Sequence, residues 1–472
     1  MAERVYDLLI VGAGTAGLPC AIAAAEAGGK VLLVDKADRI GGTLHLSGGH
    51  FSAAGTRRQR ERGIDDDADR HFAEILRISH DTVRRDLVGL AVDRAASTVD
   101  WLDDYGFDFD PETPRIVYGH EPYETARTYY GVDEGRSLLA FFERLLEQHL
   151  VSGAVELELG CAAIGLETRD GRVVGAELSG GSRSGVEARS TVLAAGGYGS
   201  STELFREIDR RPLFSAASPT STGDGLELAR ALGAGIAGRD AFLPTFGGLP
   251  AVDDPTRAQW ADRPLLVAAE RQPWEIYVDR RGRRFIAEDE ASMQLKEEAL
   301  AELEDLTFFT VFDDRAVGES ADIVVGWTAA DLRARAGKRV GVFVAESLGK
   351  LAACAGIDPA GLQATVDRYN QAVAAGQDVE LGRTALPAPI ARPPFYAMEN
   401  RGITLITFGG LDVDSELRVR RDDGSTIPGL YAAGEILGAA ATCGRAFCSG
   451  MMVMPAIVFG RLLGERLARS SY

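Results

Sequence analysis

The feature that most constrains the fold is the glycine-rich stretch "YDLLIVGAGTAG", which begins at Tyr6. An apolar run precedes Gly12, Gly14 and Gly17, which have the spacing of a dinucleotide-binding fingerprint. The alanine-rich "LPCAIAAAEAGG" and the apolar "KVLLVDK" predict a helix and a second buried strand that closes on Asp35. Gly12 permits a tight turn, Gly14 lets a pyrophosphate approach the backbone, and Gly17 lets the helix pack on the sheet. The pattern predicts a strand–helix–strand unit that binds FAD or NAD.

The composition restricts the partners of this chain. Its 472 residues are 46% hydrophobic and carry a formal net charge of −19. This length predicts two or three domains, and the negative charge argues against nucleic acid or an anionic membrane as a binding partner. No apolar run reaches the roughly eighteen residues of a membrane span, and the first residues lack the pattern of a secretory signal. We therefore expect no membrane span.

The cysteines indicate the cellular compartment. The five cysteines are scattered through apolar or glycine-rich settings, which is typical of reduced thiols and not of a disulfide framework. Cys443 and Cys448 are close in sequence, but no nearby histidine or cysteine completes a four-ligand site. The sequence therefore predicts a cytoplasmic protein without a metal site.

Three later segments favour FAD over NAD. They are "STVLAAGGYG" at 190–199, "TSTGDGLELARALG" at 220–233 and "IPGLYAAGEILG" at 427–438. With these segments the chain resembles the FAD-binding flavoproteins of the fumarate reductase/succinate dehydrogenase superfamily. It most resembles the soluble branch with ketosteroid dehydrogenases, fumarate reductases and tricarballylate dehydrogenase. The ending "GRAFCSGMMVMPAIVFGRLLGERLA" resembles the flavin-binding loop and last helix of that branch.

The resemblance implies an α/β fold with two domains. A Rossmann-like FAD-binding domain is expected in two pieces, 1–240 and 396–472, and an inserted α+β capping domain at 241–395. The short strands between 153 and 197 predict the small β-meander of the FAD-binding domain.

The fingerprint and the resemblance together define the expected FAD contacts. The glutamate of the "AAGE" segment is expected to hold the ribityl chain. The backbone N–H groups that follow Gly450 are expected to face the pyrimidine edge of the flavin, where a positive dipole stabilises the anionic reduced form. The residues predicted to contact FAD are Gly12, Ala13, Gly14, Thr15, Ala16, Gly17, Asp35, Lys36, Gly42, Thr43, Ser47, Gly48, Gly49, Ala163, Ala195, Gly196, Asp224, Glu435, Met451, Met452 and Val453.

The loop "GGTLHLSGGHF" at 41–51 fits neither a helix nor a strand. Its glycines let the main chain approach a flat ring more closely than a β-carbon would allow. Members of the family with covalent flavin carry a histidine just before a Ser or Thr in this loop, and the resemblance places Gly42 at that position. We therefore predict non-covalent FAD. His45 and His50 fall elsewhere in the pattern, with a structural role as the alternative to a place on the substrate side.

The resemblance also implies where catalysis occurs. In the family the substrate stacks on the flavin beneath the cap, and the reaction needs an enolate-stabilising group and a positioned acid/base. Arg445 resembles an arginine that the branch keeps beside the substrate, and a guanidinium suits a carboxylate. The tyrosine-rich segment 118–131 resembles the stretch lying over the flavin, with a structured surface loop as the alternative. The predicted catalytic residues are Arg445, Tyr129, Arg127, His45 and Tyr123.

One departure from the family affects the expected substrate. Fumarate-reducing members place an acid/base arginine seven residues after the Phe of a "G-x-R-F-x-x-E" segment. Here Phe285 and Glu288 match, but the seventh residue is Ser292, which argues against a C4 dicarboxylate. We predict a FAD-dependent dehydrogenase or reductase acting on CH–CH bonds, with desaturation of a small cyclic keto or carboxylic compound favoured over the reverse ene reduction. The alternatives are a fumarate reductase or succinate dehydrogenase, and a non-catalytic electron-transfer subunit.

On this interpretation the electron donor or acceptor is a separate molecule. The sequence has one dinucleotide fingerprint, whereas reductases that take hydride from NAD(P)H usually need a second one. It also has no haem-attachment motif and no iron–sulfur cysteine pattern. We therefore expect a small-molecule substrate together with an external electron donor or acceptor.

Overall fold

The computed structural model describes residues 5–469, within which the chain forms sixteen β-strands. In chain order they are β1 (Tyr6–Val11), β2 (Val31–Asp35), β3 (Phe51–Ser52), β4 (Thr128–Tyr129), β5 (Val155–Leu159), β6 (Ala162–Arg169), β7 (Arg172–Ser179), β8 (Gly185–Leu193), β9 (Ile236–Ala237), β10 (Ile276–Val278), β11 (Thr307–Asp313), β12 (Val342–Ala345), β13 (Phe395–Arg401), β14 (Gly410–Leu411), β15 (Arg418–Arg420) and β16 (Thr426–Ala432).

Fourteen α-helices lie between these strands in the same described range. They are α1 (Gly17–Glu26), α2 (Arg57–Glu61), α3 (Ala68–Ile78), α4 (Arg85–Asp104), α5 (Glu134–Ser152), α6 (Thr202–Ile208), α7 (Asp224–Arg230), α8 (Met293–Ala301), α9 (Asp314–Glu319), α10 (Ala329–Arg335), α11 (Leu348–Ala355), α12 (Pro359–Ala375), α13 (Ala440–Cys443) and α14 (Val453–Arg469).

The main sheet has eight strands and is mostly parallel. Strand β1 pairs in parallel with β2 on one side and with β8 on the other, and β5 and β16 extend the sheet in parallel beyond them. Strand β15 pairs antiparallel with β16, while β6 and β7 join β8 as an antiparallel meander. The apolar runs of β1 and β2 are buried, as expected for parallel strands covered on both faces. The predicted α/β fold class is confirmed.

A second sheet lies mainly in residues 241–395, the segment predicted to be the capping domain and called the inserted segment below. Strands β10, β11, β13 and β12 pair antiparallel in that order. Phe309 of β11 packs with α11 and α12, whereas its near neighbour Phe312 packs with α9 and α10. Helices therefore cover both faces of this sheet. The predicted boundary at 395 falls at the first residue of β13, so the chain leaves this sheet only after Arg401.

Helix α14 joins the end of the chain to its beginning. It packs along α1, and β-carbons at Gly460 and Gly464 would collide with the carbonyl oxygens of Ala16 and Cys20. These two glycines therefore let the helices approach closely. Residues of both chain ends belong to one apolar core.

A search of the helices within residues 5–469 finds none with the length and apolar character that crossing a bilayer requires.

Candidate active site

The predicted FAD contacts gather at one edge of the main sheet. Because β1, β2, β8 and β16 run in the same direction, their carboxyl ends meet at this edge. Gly12 follows β1, Asp35 ends β2, Ala195 and Gly196 follow β8, and Glu435 follows β16. Ligands of open α/β sheets bind in the crevice at such an edge.

The glycine turn combines two crowded positions with an open one. Gly12 has φ +107°, and a β-carbon there would collide with the carbonyl oxygen of Ala194. A β-carbon at Gly17 would collide with the carbonyl oxygen of Gly12, whereas one at Gly14 would meet no atom within 4 Å. Close packing within the protein is therefore enough to explain why positions 12 and 17 are occupied by Gly12 and Gly17. The open surface at Gly14, ahead of the N-terminus of α1, is suited to a phosphate group.

The carboxylate of Asp35 is fixed by the backbone. Its Oδ2 accepts the N–H of Ala13 at 2.8 Å, and its Oδ1 accepts the N–H of Ala37 at 2.8 Å. Each oxygen keeps a lone pair for a ribose hydroxyl. Lys36 and Asp224, both predicted FAD contacts, form an ion pair with Nζ and Oδ2 2.7 Å apart. This pair ties the residue after β2 to the N-terminus of α7.

The 41–51 loop lies against the glycine turn. The N–H of Gly41 donates to the oxygen of Ala13 at 2.8 Å, and a β-carbon at Gly42 would lie 3.6 Å from the Cα of Gly14. At its other end Gly49 packs against the backbone of Gly135 at the start of α5. The loop therefore forms a glycine-lined wall beside the open position of the turn.

His45 of this loop faces its own backbone. Its Nε2 lies 2.8 Å from the oxygen of Ile40, and since a carbonyl oxygen only accepts, Nε2 carries the proton. In the structure His45, which was predicted to be catalytic, helps to hold the conformation of the loop.

Glu435 lies in a pocket formed by two other segments. Its Oε1 accepts the N–H of Thr407 at 3.1 Å and lies 3.4 Å from Thr407 Oγ1. A β-carbon on Gly197 would collide with both side chains, so the glycine after β8 makes room for the carboxyl group. Burial raises the pKa of Glu435 to about 7. A carboxyl group that is half protonated near neutrality can donate to or accept from a polyol chain.

The N-terminus of α14 completes the edge. Met451, Met452 and Val453 lie where this seventeen-residue helix begins. The N–H of Met451 donates to the oxygen of Cys448 at 3.1 Å, so the N–H groups of Met452 and Val453, together with the helix dipole, present the positive potential. Thr442 Oγ1 donates to the oxygen of Met451 at 2.6 Å and fixes the turn that enters the helix.

These features fit FAD. The open surface at Gly14 admits a pyrophosphate, the fixed carboxylate of Asp35 suits a ribose, and Glu435 suits a ribityl chain. The other predicted contacts lie in the glycine turn (Thr15, Ala16), in the loop (Thr43, Ser47, Gly48) and at the start of β6 (Ala163).

Arg127 has no exposed surface. Its Nε and Nη2 donate to Asp66 at 3.0 and 2.9 Å, and Nη2 lies 2.9 Å from Glu74. Two carboxylates thus occupy this guanidinium in the interior, where an unpaired charge would be very unfavourable. In the structure Arg127, which was predicted to be catalytic, is an interior residue that pairs with two carboxylates.

Two of the predicted catalytic tyrosines are also buried. The hydroxyl of Tyr129 lies 2.6 Å from Thr56 Oγ1, and the hydroxyl of Tyr123 donates to the oxygen of Ser449 at 2.9 Å. Tyr129 has no exposed surface and Tyr123 is 3% exposed. Burial raises the pKa of both phenols, so both stay protonated at neutral pH. Neither presents its hydroxyl to an open surface.

Arg445 differs from these residues because its side chain is exposed. Its N–H donates to Thr82 Oγ1 at 2.9 Å, which anchors the turn after α13. Together with Arg84 and Arg239 it lines an open groove of about 440 Å³. Of the predicted catalytic residues, Arg445 is the one whose charge solvent and solutes can reach.

A ring cluster of His50, His120, Tyr130 and Phe447 lies beside the 41–51 loop. His50 stacks on Tyr130 with centroids 5.3 Å apart, and His120 stacks on Phe447 at 5.1 Å. The two imidazoles are 6.3 Å apart. The three segments that supply these rings are the loop, the tyrosine-rich segment and the turn before α14. The sequence prediction gave His50 a place on the substrate side as one alternative, but it emphasised Tyr129 and did not connect these four rings.

The alternation of side-chain direction along a strand is the sequence signal from which the ring cluster could have been predicted. Phe51 of β3 pairs with Tyr129 of β4, and both rings point into the core. Successive side chains of a strand point to opposite faces, so the neighbours His50 and Tyr130 point the other way. Fully buried and half-buried aromatics thus alternate at both short strands.

The ring cluster contains two neutral imidazoles. Burial lowers the pKa of His120 to about 3, with a smaller contribution from His50. Burial, together with the charge of Arg115, lowers the pKa of His50 to about 4. Nδ1 of His120 is buried and has no hydrogen-bond partner. Burial also raises the pKa of Tyr130. At neutral pH the cluster therefore offers proton acceptors and a protonated phenol.

The inserted segment reaches this side of the molecule. Ser292 Oγ donates to Glu121 Oε2 at 2.7 Å. Ser292 Oγ also accepts the N–H of Leu295, which makes Ser292 the N-cap of α8. The charge of Glu270 also acts on the phenol of Tyr130. Ser292, where fumarate-reducing members have arginine, thus links the inserted segment to the residue that follows His120.

Comparisons with known proteins show what this chain is similar to. The cytochrome-type fumarate reductase of Shewanella frigidimarina is 28% identical over 98% of this chain and 77% of its own length. The 4-oxocyclohexanecarboxylate 2-dehydrogenase of Sinomonas cyclohexanicum is 27% identical over 99% of this chain and 93% of its own length. The structure of 3-ketosteroid Δ1-dehydrogenase from Sterolibacterium denitrificans superposes with a TM-score of 0.79 at 21% identity, covering 99% of this chain and 100% of the other.

The fold and the site define a flavoprotein with a nucleotide-binding domain and an inserted segment. The family model described as the FAD binding domain matches residues 7–450, and the chain belongs to that family. The predicted family and the FAD cofactor are confirmed. The relatives named above are reductases and dehydrogenases, in agreement with the predicted FAD-dependent oxidoreductase acting on CH–CH bonds.

Proposed function

We propose that this protein desaturates a small cyclic keto or carboxylic compound, or reduces the corresponding alkene. FAD, held without a covalent bond by the glycine turn, Asp35 and Glu435, would supply hydride chemistry at flavin N5 for a carbon α or β to the carbonyl or carboxylate. The observation that carries this proposal is the ring cluster, which joins two neutral imidazoles and a phenol to the glycine-lined loop of the FAD site.

The ring cluster supplies the two groups that such a reaction requires. Removing a proton from a carbon next to a carbonyl needs a base, and the developing enolate needs a hydrogen-bond donor. His120 is placed to be the base because its Nδ1 is buried and has no hydrogen-bond partner. Tyr130 is suited to be the donor because burial keeps its phenol protonated. In alkene reduction the same two groups act in the opposite direction.

The shape of the cluster supports a cyclic substrate. His50 and Tyr130 stack in one pair and His120 and Phe447 in another, so flat rings form the surface that a substrate would contact. Flat apolar surfaces with a few polar atoms are typical of sites for small organic ligands. We propose that Arg445, exposed on the turn that carries Phe447, attracts the carboxylate of a substrate that has one.

The remaining aspects of the proposal concern partners and compartment. We propose an external electron donor or acceptor, because the chain supplies one nucleotide fingerprint. We propose a cytoplasmic location, because all five cysteines are free thiols in the structure, as reducing compartments favour. Non-covalent FAD is supported by Gly42, which offers no side chain to the flavin, and by His45, whose ring nitrogen is engaged with Ile40.

The test uses the visible absorbance of the bound flavin. Oxidised holoprotein is mixed without oxygen with a panel of cyclic ketones and keto acids, including 4-oxocyclohexanecarboxylate. We expect one of these compounds to bleach the flavin. We expect His120→Gln to slow bleaching by about 100-fold while the oxidised spectrum stays unchanged. His149→Gln, at the far end of α5, is the matched control and is expected to react like the unmodified protein.

Other outcomes would separate the alternatives. Rapid oxidation of the reduced protein by fumarate, with no reaction across the cyclic panel, would favour a fumarate reductase. No reaction with any small molecule, together with rapid electron exchange with a redox protein, would favour an electron-transfer subunit. Unchanged bleaching in His120→Gln would refute the proposed base.

A further inference from the structure

Two of the five cysteines form a buried pair in the turn between α13 and α14. Cys443 is 1% exposed and Cys448 is 4% exposed, and both are free thiols. The Sγ atom of each lies 3.9 Å from the main-chain oxygen of the other, so the two side chains lie close together across a short turn. Two cysteines this close are candidates for disulfide formation.

Hydrogen bonds hold this turn at both ends. Thr442 Oγ1 donates to the oxygen of Met451 at 2.6 Å. The oxygen of Ser449 accepts from Ser52 Oγ at 2.8 Å and from the hydroxyl of Tyr123 at 2.9 Å. The thiols therefore have little freedom to separate, and reacting groups held together react faster than free ones.

Polar atoms without partners lie next to the pair. His71 Nδ1, Arg127 Nη1 and Ser449 Oγ are buried and have no hydrogen-bond partner. Tyr123 connects them, because its hydroxyl lies 3.4 Å from His71 Nε2 and Arg127 lies over its ring at 5.0 Å. Buried polar groups are rarely left unsatisfied. These three atoms are therefore available to hydrogen-bond a small molecule, such as water or a peroxide, that reaches them.

We infer that Cys443 and Cys448 form a reversible oxidation site, at which a hydroperoxide converts the two thiols into a disulfide. The thiolate of Cys443 attacks the peroxide, so that the O–O bond breaks, a sulfenic acid forms and hydroxide or alkoxide leaves. The thiol of Cys448 then attacks the sulfenic sulfur, the S–O bond breaks and water leaves. Two thiols lose two electrons and two protons, and the peroxide is reduced to water or to an alcohol and water.

The effect of each cysteine on the other indicates their order of reaction. The nearby Cys448 side chain lowers the pKa of Cys443, and Cys443 raises the pKa of Cys448. Since the thiolate is the nucleophile, Cys443 attacks first and Cys448 resolves. Low-molecular-weight thiols would restore the pair by exchange, as expected of a transient disulfide in a reducing compartment.

Oxidation would also affect the ring cluster. The turn between the two cysteines carries Phe447, which stacks on His120, and the exposed Arg445. A covalent bond across the turn would change the position of both side chains. This consequence rests on the proposed function, whereas the oxidation itself does not.

The test exploits the position of Arg445. Holoprotein is reduced, freed of reductant under nitrogen and treated with an equimolar amount of hydrogen peroxide. Remaining thiols are then alkylated and the protein is digested with trypsin. Trypsin cuts after Arg445, so a disulfide would join peptides 422–445 and 446–461 into one species that separates on reduction.

We expect the unmodified protein to lose two of its five thiols and to give the joined peptide. Cys354→Ser, which removes an exposed thiol, is the matched control and is expected to give the same joined peptide. Cys448→Ser is expected to stop at a sulfenic acid on Cys443 that dimedone labels, and Cys443→Ser to give neither product. Retention of all five thiols by the unmodified protein would overturn the inference, and this measurement needs no variant.

A second measurement separates this inference from the proposed function. With a substrate from the cyclic panel, oxidation is expected to lower kcat/KM by about tenfold or more, and reductant is expected to restore it. A joined peptide with unchanged kcat/KM would refute the coupling to the ring cluster. Because thiols are counted without substrate, an inactive preparation leaves the first measurement intact.

Discussion

Replacing Gly14 and Gly17 separately would distinguish what the cofactor requires of the glycine turn from what the fold requires. In the protein alone a β-carbon at Gly14 would meet no atom within 4 Å. A β-carbon at Gly17 would collide with the carbonyl oxygen of Gly12 and lie 3.4 Å from Cγ2 of Ile10. We therefore expect Gly17→Ala to destabilise the apoprotein and Gly14→Ala to weaken FAD binding.

The magnitudes follow from these contacts. Relieving the collision at Gly17 requires α1 to move away from β1, and such overpacking costs about 1–3 kcal/mol of unfolding free energy. Gly14→Ala crowds no protein atom, so the apoprotein should change by less than about 0.5 kcal/mol. A methyl group on this surface would keep a pyrophosphate from the backbone N–H groups. Losing one charge-assisted hydrogen bond costs about 1.5–3 kcal/mol, which corresponds to a roughly 10- to 150-fold higher Kd for FAD.

The assay measures the two quantities separately. Apoprotein stability is obtained from denaturant unfolding followed by circular dichroism, and FAD affinity from the fluorescence change of added FAD. Gly349→Ala is the matched control, because its β-carbon would also meet no atom within 4 Å and α11 lies in the inserted segment. Wild-type FAD affinity in Gly14→Ala, or a loss of apoprotein stability equal to that of Gly17→Ala, would refute the reasoning.

Two further predictions concern buried charge. Arg127→Ala leaves Asp66 and Glu74 without their cation and should lower the unfolding free energy by about 3–5 kcal/mol. Arg445→Ala, at an exposed position, should change the unfolding free energy by less than about 0.5 kcal/mol. Equal losses in the two variants would contradict the burial of one arginine and the exposure of the other. The raised pKa of Glu435 means that the folded apoprotein favours the protonated carboxyl group. The stabilisation that Glu435 gives the folded state is complete below about pH 4 and is lost as the pH rises through about 7. The unfolding free energy falls by about 3 kcal/mol over this range. Glu435→Gln should remove this decline, and an unchanged pH profile of denaturant unfolding would refute the assignment.

The FAD-binding edge could be predicted from the sequence because its signals are local. The apolar run, the glycine spacing and the terminal acid occupy about thirty consecutive residues, and each has its own steric or electrostatic reason. Parallel strands then bring Glu435 to the same edge without further information. The resemblance supplied the inserted domain, but the extent of that domain depends on the pairing of β11 with β13, and nothing local marks Arg401 as its last strand residue.

The candidate substrate side could not be predicted in the same way. The sequence shows that Tyr129, Tyr130 and Arg127 stand close together, but not which of them points inward. That depends on the pairing of β3 with β4 and on carboxylates contributed by a distant part of the chain, both of which are tertiary. The ring cluster joins His50 to Phe447, across nearly the whole chain, and no spacing rule connects them.

The packing of α14 on α1 has a consequence for biosynthesis. The glycine turn leaves the ribosome before Glu435 and α14 do. A nascent chain therefore exposes an apolar surface of α1 until α14 has been synthesised. The candidate FAD site is complete only once α14 has emerged, so the yield of yellow protein would depend on flavin supply during the interval before proteases reach the unfilled polypeptide.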